Sequence, residues 1–164
     1  MSGLDHEIVE LLPRLRRLAR ALARNAADAD DLAQVTVERA LAHRGQWRPG
    51  TRFDSWIFRI MKNAWIDETR ARRRRGAILA PAEEGERVGD AGAAAAEDRL
   101  VVGEVERAMS RLPDDQRLAV ALVLIEGLSY REAAAVLQVP EGTLTSRLVR
   151  GRSALLADLE EAAP

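Results

Sequence analysis

No cysteine occurs among the 164 residues. That absence excludes a disulfide scaffold and any Cys-ligated zinc site, and it fits a reducing, cytoplasmic setting. Aromatic residues are scarce at 4%, and β-branched alternation is rare, so an all-α fold is expected. No apolar run approaches the length of a membrane span, and no charged-then-apolar signal opens the chain, so membrane insertion is not expected. No nucleophile–base pair, phosphate loop or carboxylate dyad stands out. His6 and His43 are isolated, without a second ligand at metal spacing. The chemistry expected is therefore that of a binding protein, not an enzyme, with neither metal nor cofactor.

Ala, Leu and Arg dominate what is present, and 47% of the chain is hydrophobic, enough for a packed core. The net charge of −1 conceals an uneven distribution. Residues 1–75 carry a net +6, residues 76–98 a net −5 and residues 99–164 a net −2. Charge is therefore informative segment by segment and not as a whole-chain sum.

Apolar residues Ile8, Leu11, Leu12, Leu15, Leu18 and Leu22 recur at helical spacing over 4–24. Pro13 lies within that stretch and is expected to kink it or to begin a second helix. After a break at 25–27, Asp28 is the expected N-cap of a helix running to about His43, with Asp30 and Asp31 in its first turn. "RGQWRPGTRF", 44–53, is a loop by its Gly and Pro content. A helix over 54–75 follows, capped by Asp54, with Trp56, Ile57, Ile60 and Ala64 on its inner face. Residues 76–98 lose the apolar period and read as a flexible linker between two helical domains, 1–75 and 99–164. Within the second, helices are expected over about 97–112, stopped by Pro113, and 114–126, closed by Gly127. "SYRE", 129–132, is a capping box opening a helix to Leu137. A turn at Gln138–Val139 leads to a last helix from Pro140 to about Glu160.

Residues 129–157 thus have helix-turn-helix spacing. On a helical wheel Leu144, Leu148 and Leu155 share one side of the last helix, with Gly151 near them. Ser146, Val149, Arg150 and Ser153 lie opposite, Thr145 and Arg152 at one edge, Arg147 at the other, and Thr143 in the first turn. Hydroxyls, a valine and arginines suit phosphates, thymine methyls and guanine edges. A plain helical hairpin with a solvated arginine face is the competing reading.

A second basic stripe runs through Arg48, Arg52, Arg59, Lys62 and Asn63 to Arg70 and the Arg72–Arg75 run, including Arg73 and Arg74. It is long enough to track a nucleic-acid backbone, although arginines also suit a helix C-terminus. Trp47 has two readings: stacking on an unpaired base, or folding back onto the core. In "DADDLAQVTVERA", 28–40, polar Asp31, Gln34 and Glu38 sit on a helix otherwise packed through Leu32, Val35 or Thr36, and Leu41.

Taken together, three stretches resemble the bacterial sigma factors of the extracytoplasmic-function group. "DADDLAQVTVERAL" is similar to that family's core-polymerase-binding helix. "FDSWIFRIMKNAWIDETRARRRR" resembles its minus-ten recognition helix, with Trp56, Arg59, Ile60, Asn63, Asp67 and Arg70 at the expected places. "LPDDQRLAVALVLIEGLSYREAAAVLQVPEGTLTSRLVRGR" resembles its minus-thirty-five domain throughout. The resemblance implies that Asp31, Gln34 and Glu38 face core RNA polymerase, at the β′ clamp coiled coil, with the β flap as a further contact. It implies that the loop 45–53 with Trp47, Arg48 and Arg52, and the helix with Arg59, Lys62, Asn63, Arg70, Arg73 and Arg74, take the minus-ten element. The minus-thirty-five duplex falls to Thr143, Thr145, Ser146, Arg147, Val149, Arg150 and Arg152. An anti-sigma protein is a further implied partner. Two alternatives stay open: a helix-turn-helix regulator acting without polymerase, and a sigma-like decoy that binds an anti-sigma protein.

Overall fold

A computed structural model describes residues 2–76 and 93–164, and every regular element among them is helical. The first half holds α1 (Gly3–Leu22), α2 (Ala26–Ala42) and α3 (Phe53–Gly76), with a single 3₁₀ turn, Arg44–Gln46, between α2 and α3. The second holds α4 (Ala93–Arg111), α5 (Asp114–Val120), α6 (Tyr130–Leu137) and α7 (Glu141–Ala162). A π turn, Ala121–Ile125, extends α5.

Ser2 caps α1 in a capping box with Asp5. Pro13 lies inside a single helix, so it does not begin a second one, and that alternative of the two the sequence offered is excluded. Proline removes one hydrogen bond of the ladder. Here Ile8, Leu15, Leu18 and Leu22 are all buried on one face, and each such side chain contributes about 1.5–3 kcal/mol. That packing outweighs one lost bond. The N-cap of α2 is Asn25, not Asp28: the Asn25 side chain accepts from the Asp28 N–H at 2.8 Å. Both residue types cap well, and three residues of register decided between them. Helix α3 begins at Phe53, so Asp54 lies in its first turn instead of capping it. Its core face is Phe53, Ile57, Phe58, Met61, Ala64 and Trp65, while Trp56 and Ile60 are only half-buried.

The stretch expected to be a linker lies mostly outside the described residues. Its ends are helical: Gly76 closes α3, and 93–98 form the first turns of α4. An alanine run is the best helix former available. In the second half, Gly127 closes the π turn at φ +72°, and the Ser129–Glu132 capping box opens α6. The π turn was not anticipated: the Glu126 and Leu128 N–H groups reach back to the Ala121 and Leu122 carbonyls, both at 3.0 Å. Gln138, at φ +57°, makes the turn into α7. Leu144, Leu148 and Gly151 are buried, as the wheel placed them, and Leu155 packs at the margin.

The two halves also pack on one another. Helix α6 lies on α3, and α1 lies against α4, α5 and the π turn. Buried apolar residues from both halves form a single cluster.

Candidate nucleic-acid and polymerase interface

Helix α2 buries Ala29, Leu32, Ala33, Thr36 and Ala40 and exposes Asp31, Gln34, Val35 and Glu38. Thr36 is accommodated because its hydroxyl donates to the Leu32 carbonyl at 2.7 Å. Gln34 donates to Glu38 at 3.1 Å, one turn on. The polar residues proposed from sequence are therefore all exposed on α2, and two of them, Gln34 and Glu38, are joined. Gln34 and Glu38 also line a groove of about 1220 Å³ between α1, α2 and α4. Val37, Val105 and Met109 contribute apolar surface to that groove, and Arg16, Arg17 and Arg20 line it from α1.

Trp47 folds back toward the core, edge-on to Phe53 with ring centroids 5.4 Å apart. Its indole N–H is buried without a partner in the protein. Phe53 in turn contacts Trp56 at 5.6 Å. Of the two readings of Trp47, this geometry favours packing. Arg48, Asn63, Arg70 and Arg74 are exposed.

Four further members of the basic stripe are engaged by the second half, whereas Arg72 pairs within the first half, with Asp28 and Glu68, both at 2.9 Å. Arg52 pairs with Asp54 at 2.7 Å and with Glu132 of α6 at 2.5 Å. Arg59 donates to the Ala135 carbonyl at 3.3 Å. Lys62, the only lysine in the chain, is buried and donates to Gln138 in the helix-turn-helix turn at 3.3 Å. Burial, then the nearby Arg59 charge, lower the Lys62 pKa from its usual 10.5. Arg73 pairs with Asp114 at the start of α5.

Four side chains that hold the halves together, Glu126, Arg14, Arg17 and Arg117, were not foreseen. The Glu126 side chain is fully buried and accepts from Arg14 at 3.1 Å and from Arg17 at 2.9 Å through two nitrogens. The hydrogen bonds to Glu126 raise the Arg17 pKa further above its already high value. Arg14 also lies over the Phe58 ring at 5.0 Å and reaches Asp54 at 3.3 Å. Arg117 is buried and satisfies three helix-end carbonyls: Leu22 of α1 at 3.0 Å, Ser110 at 2.6 Å and Leu112 at 3.2 Å. Its guanidinium stands 5.7 Å from the Trp65 ring centroid. Burial lowers the Arg117 pKa. One sequence signal was available for this interface: a glutamate directly before the capping glycine, at the end of an otherwise apolar run.

On α7, Ser146, Val149, Arg150, Arg152 and Ser153 are exposed, and Thr143 and Thr145 are half-buried. The Thr145 hydroxyl donates to the Glu141 carbonyl at 2.9 Å, leaving its methyl as the freer surface. Arg147 is half-buried and ion-paired with Asp115 of α5 at 3.4 Å. Glycine is required at 151 because α7 crosses α5 there. A Cβ would meet Val120 Cγ2 at 2.8 Å and the Gln116 carbonyl oxygen at 3.2 Å.

The architecture and sequence match known proteins in the same order. Sigma-70 region 2 matches residues 8–75 and Sigma-70 region 4 matches residues 103–155. The ECF RNA polymerase sigma factor EcfG of Rhodopseudomonas palustris is 37% identical over 165 residues, covering 95% of this chain and 84% of that protein. The ECF RNA polymerase sigma factor SigM of Mycobacterium tuberculosis is 39% identical over 142 residues, covering 87% of this chain and 69% of SigM. Among solved structures, the sigma factor RpoE of Bartonella quintana, in complex with the anti-sigma factor NepR, superposes with a TM-score of 0.82 at 28% identity, covering 98% of both chains. CnrH, in complex with the cytosolic domain of CnrY, gives 0.73 at 25% identity, covering 98% of this chain and 89% of CnrH. With both sigma regions present in order and relatives 37% and 39% identical over most of this chain, the chain belongs to the extracytoplasmic-function family of RNA polymerase sigma factors.

Proposed function

We propose that this sigma factor divides promoter recognition among three surfaces. Asp31, Gln34 and Glu38 on α2 meet the clamp coiled coil of core polymerase. The loop 45–53 and α3, through Arg48, Arg52, Arg59, Lys62, Asn63, Arg70, Arg73 and Arg74, take the minus-ten strand. Helix α7 enters the minus-thirty-five major groove, with Ser146, Val149 and Arg150 towards the bases and Arg147 and Arg152 on phosphates. The observation that carries this reading is the face of α7: hydroxyls, a valine and arginines stand exposed directly opposite the buried Leu144–Leu148 seam. A surface helix with no ligand ordinarily carries Glu and Lys there.

The setting of this activity is the cytoplasm, where core polymerase resides. An anti-sigma protein is a second partner, as RpoE has in NepR. The groove beside α2 suits it: an occupant touching Gln34 and Glu38 competes with polymerase for the same face.

Run-off transcription with bacterial core polymerase and a promoter library tests the reading. Transcription should depend on the protein and select promoters with paired minus-thirty-five and minus-ten elements. Duplex binding as a dimer without core polymerase would instead indicate an ordinary helix-turn-helix regulator. Asn63→Ala should lower open-complex formation more than closed binding.

A further inference from the structure

Of the arginines on α7, Arg147 alone is tied to an acidic side chain among the described residues. Arg150 and Arg152 are exposed, and neither has a partner there. Arg147 is half-buried, and its Nε is ion-paired with Asp115 Oδ2 of α5 at 3.4 Å. An exposed carboxylate at the edge of a surface that takes phosphates is unfavourable in itself, because like charges repel. The neighbouring Asp114 is drawn the other way, to Arg73 of α3. Asp115 is therefore the carboxylate that α5 presents to α7.

That carboxylate is anchored. Its Oδ1 accepts from the Gln116 N–H at 2.9 Å, which leaves Oδ2 for Arg147. Gln116 is in turn the residue that Gly151 of α7 crosses: a Cβ at 151 would stand 3.2 Å from both the Gln116 Cβ and its carbonyl oxygen. Arg147 lies one turn before Gly151 on the same side of α7. The anchor, the crossing point and the arginine thus form one compact corner. A guanidinium held at Nε keeps its two Nη groups for an outside acceptor, and neither is buried without a partner. An arginine held this way meets a phosphate as a directed fork, whereas an unbraced cation meets it as a mobile charge.

We propose that Asp115 is a positioning residue for minus-thirty-five recognition: it holds the Arg147 fork at one angle, so that the phosphate contact of Arg147 sets the register of α7 in the major groove. Phosphate contacts fix register and base contacts read sequence, so a fixed phosphate contact sharpens what Arg150 reads. The same carboxylate offsets the Arg147 charge toward DNA docked in any other geometry, which lowers affinity for unrelated sequences. Asp115 thus raises selectivity by two routes while weakening raw affinity. The inference rests on α7 being the minus-thirty-five helix.

Holoenzyme binding to a minus-thirty-five library and to an unrelated duplex is measured at several salt concentrations. Wild type is compared with Asp115→Asn, Arg147→Ala, Arg147→Lys and the Asp115→Asn/Arg147→Ala double variant, with helicity checked by circular dichroism. Asp115→Asn should bind the unrelated duplex more tightly, with a salt slope steeper by about one, so that it loses about 3.5-fold more affinity than wild type between about 50 and 200 mM salt. Its preference for the best minus-thirty-five sequence should fall by about fivefold. In the Arg147→Ala background the same change should leave that preference where Arg147→Ala alone puts it, because Asp115 acts through Arg147. Arg147→Lys keeps the charge without the fork and should lose preference as Asp115→Asn does, which decides the matter if Asp115→Asn loses helicity. A merely structural Asp115 would weaken binding to all sequences alike. That result overturns the proposal, as does unchanged preference in Asp115→Asn or a further loss in the double variant. A wild-type holoenzyme with no minus-thirty-five preference overturns the reading of α7 and the proposal with it, and it is seen before any variant is compared.

Discussion

Gly151→Ala offers a direct test of how α7 is seated, because two effects of known sign oppose each other there. Alanine in a helix interior is worth about 1 kcal/mol more than glycine. Against that, the new methyl would stand 2.8 Å from Val120 Cγ2 and 3.2 Å from both the Cβ and the carbonyl oxygen of Gln116. Val120 is 1% exposed and cannot swing away, and a helix carbonyl cannot move without its helix. Overpacking of this kind costs about 1–3 kcal/mol. The net expectation is a loss of about 1 kcal/mol, close to fivefold in the folding equilibrium. In a chain of this size that lowers the melting temperature by about 2–4 °C.

Gly142→Ala in the first turn of the same helix is the matched control. Nothing lies within 4 Å of a Cβ built there. The same chemical change should therefore leave stability unchanged or raise it by up to about 1 kcal/mol. Urea unfolding followed by helix circular dichroism reads both. A further consequence concerns recognition: relieving the clash lifts α7 from α5, which strains the Arg147–Asp115 pair. Minus-thirty-five selectivity should consequently weaken in Gly151→Ala and not in Gly142→Ala. If Gly151→Ala is stabilised as much as Gly142→Ala, the close crossing of α5 and α7 is wrong.

Arg150→Ala should blunt discrimination among minus-thirty-five variants, at about 1–3 kcal/mol for a lost bidentate base contact, while Arg152→Ala should preserve their ranking and reduce the salt slope by about one. Holoenzyme binding across a promoter library at several salt concentrations separates the two, and an exchange of phenotypes would refute the wheel assignment. Replacing Asp31 and Gln34 together by Ala should weaken core-polymerase binding without changing helicity, measured by competition with a labelled sigma factor; unchanged affinity would remove these residues from the interface. Asp54→Asn probes acid stability. Burial works to raise the Asp54 pKa, but Arg52, the Ser55 N–H and Arg14 outweigh it and hold the carboxyl below its ordinary 3.8. A depressed folded value gives stability that is complete above about pH 4 and is lost as pH falls through that folded value. The variant should be less stable at neutral pH, and its stability should fall less steeply on acidification; an identical acid limb would show that Asp54 carries no such linkage.

The elements most legible in the sequence are those whose signals are local. The Ser129–Glu132 box, the Gly127 cap and the Leu144–Leu148–Gly151 seam each need only a few neighbouring residues, and each stands where expected. Signals that compete at short range were less secure. Pro13 argued for a break, but the leucine face of α1 spans it. Asp28 alone was expected to cap α2, but Asn25, three residues earlier, is the cap and Asp28 lies in the first turn. The π turn left no trace, because an uninterrupted apolar run, "ALVLI", has no helical phase from which to read an extra residue.

Least legible was the relation between the halves, and the reason lies in the arginines. Arg14, Arg17, Arg52, Arg59 and Arg117 look in sequence like a solvated or nucleic-acid-facing population. A guanidinium presents several donors in a fixed plane, so one side chain serves several acceptors with no compositional mark. Arg117 joins the ends of α1 and α4 in this way, and Arg14 joins Glu126 to Asp54. The chemistry that lets arginine bridge carbonyls and carboxylates inside the protein is the chemistry that lets it hold phosphates outside. A chain whose basic residues are almost all arginine therefore builds its inner bridges and its outer basic surface from the same residue type. Glu126 has no such double use: it is buried, acidic and unsuited to a phosphate backbone. Its place between two arginines is intelligible as a contact between the halves and not as part of a DNA surface.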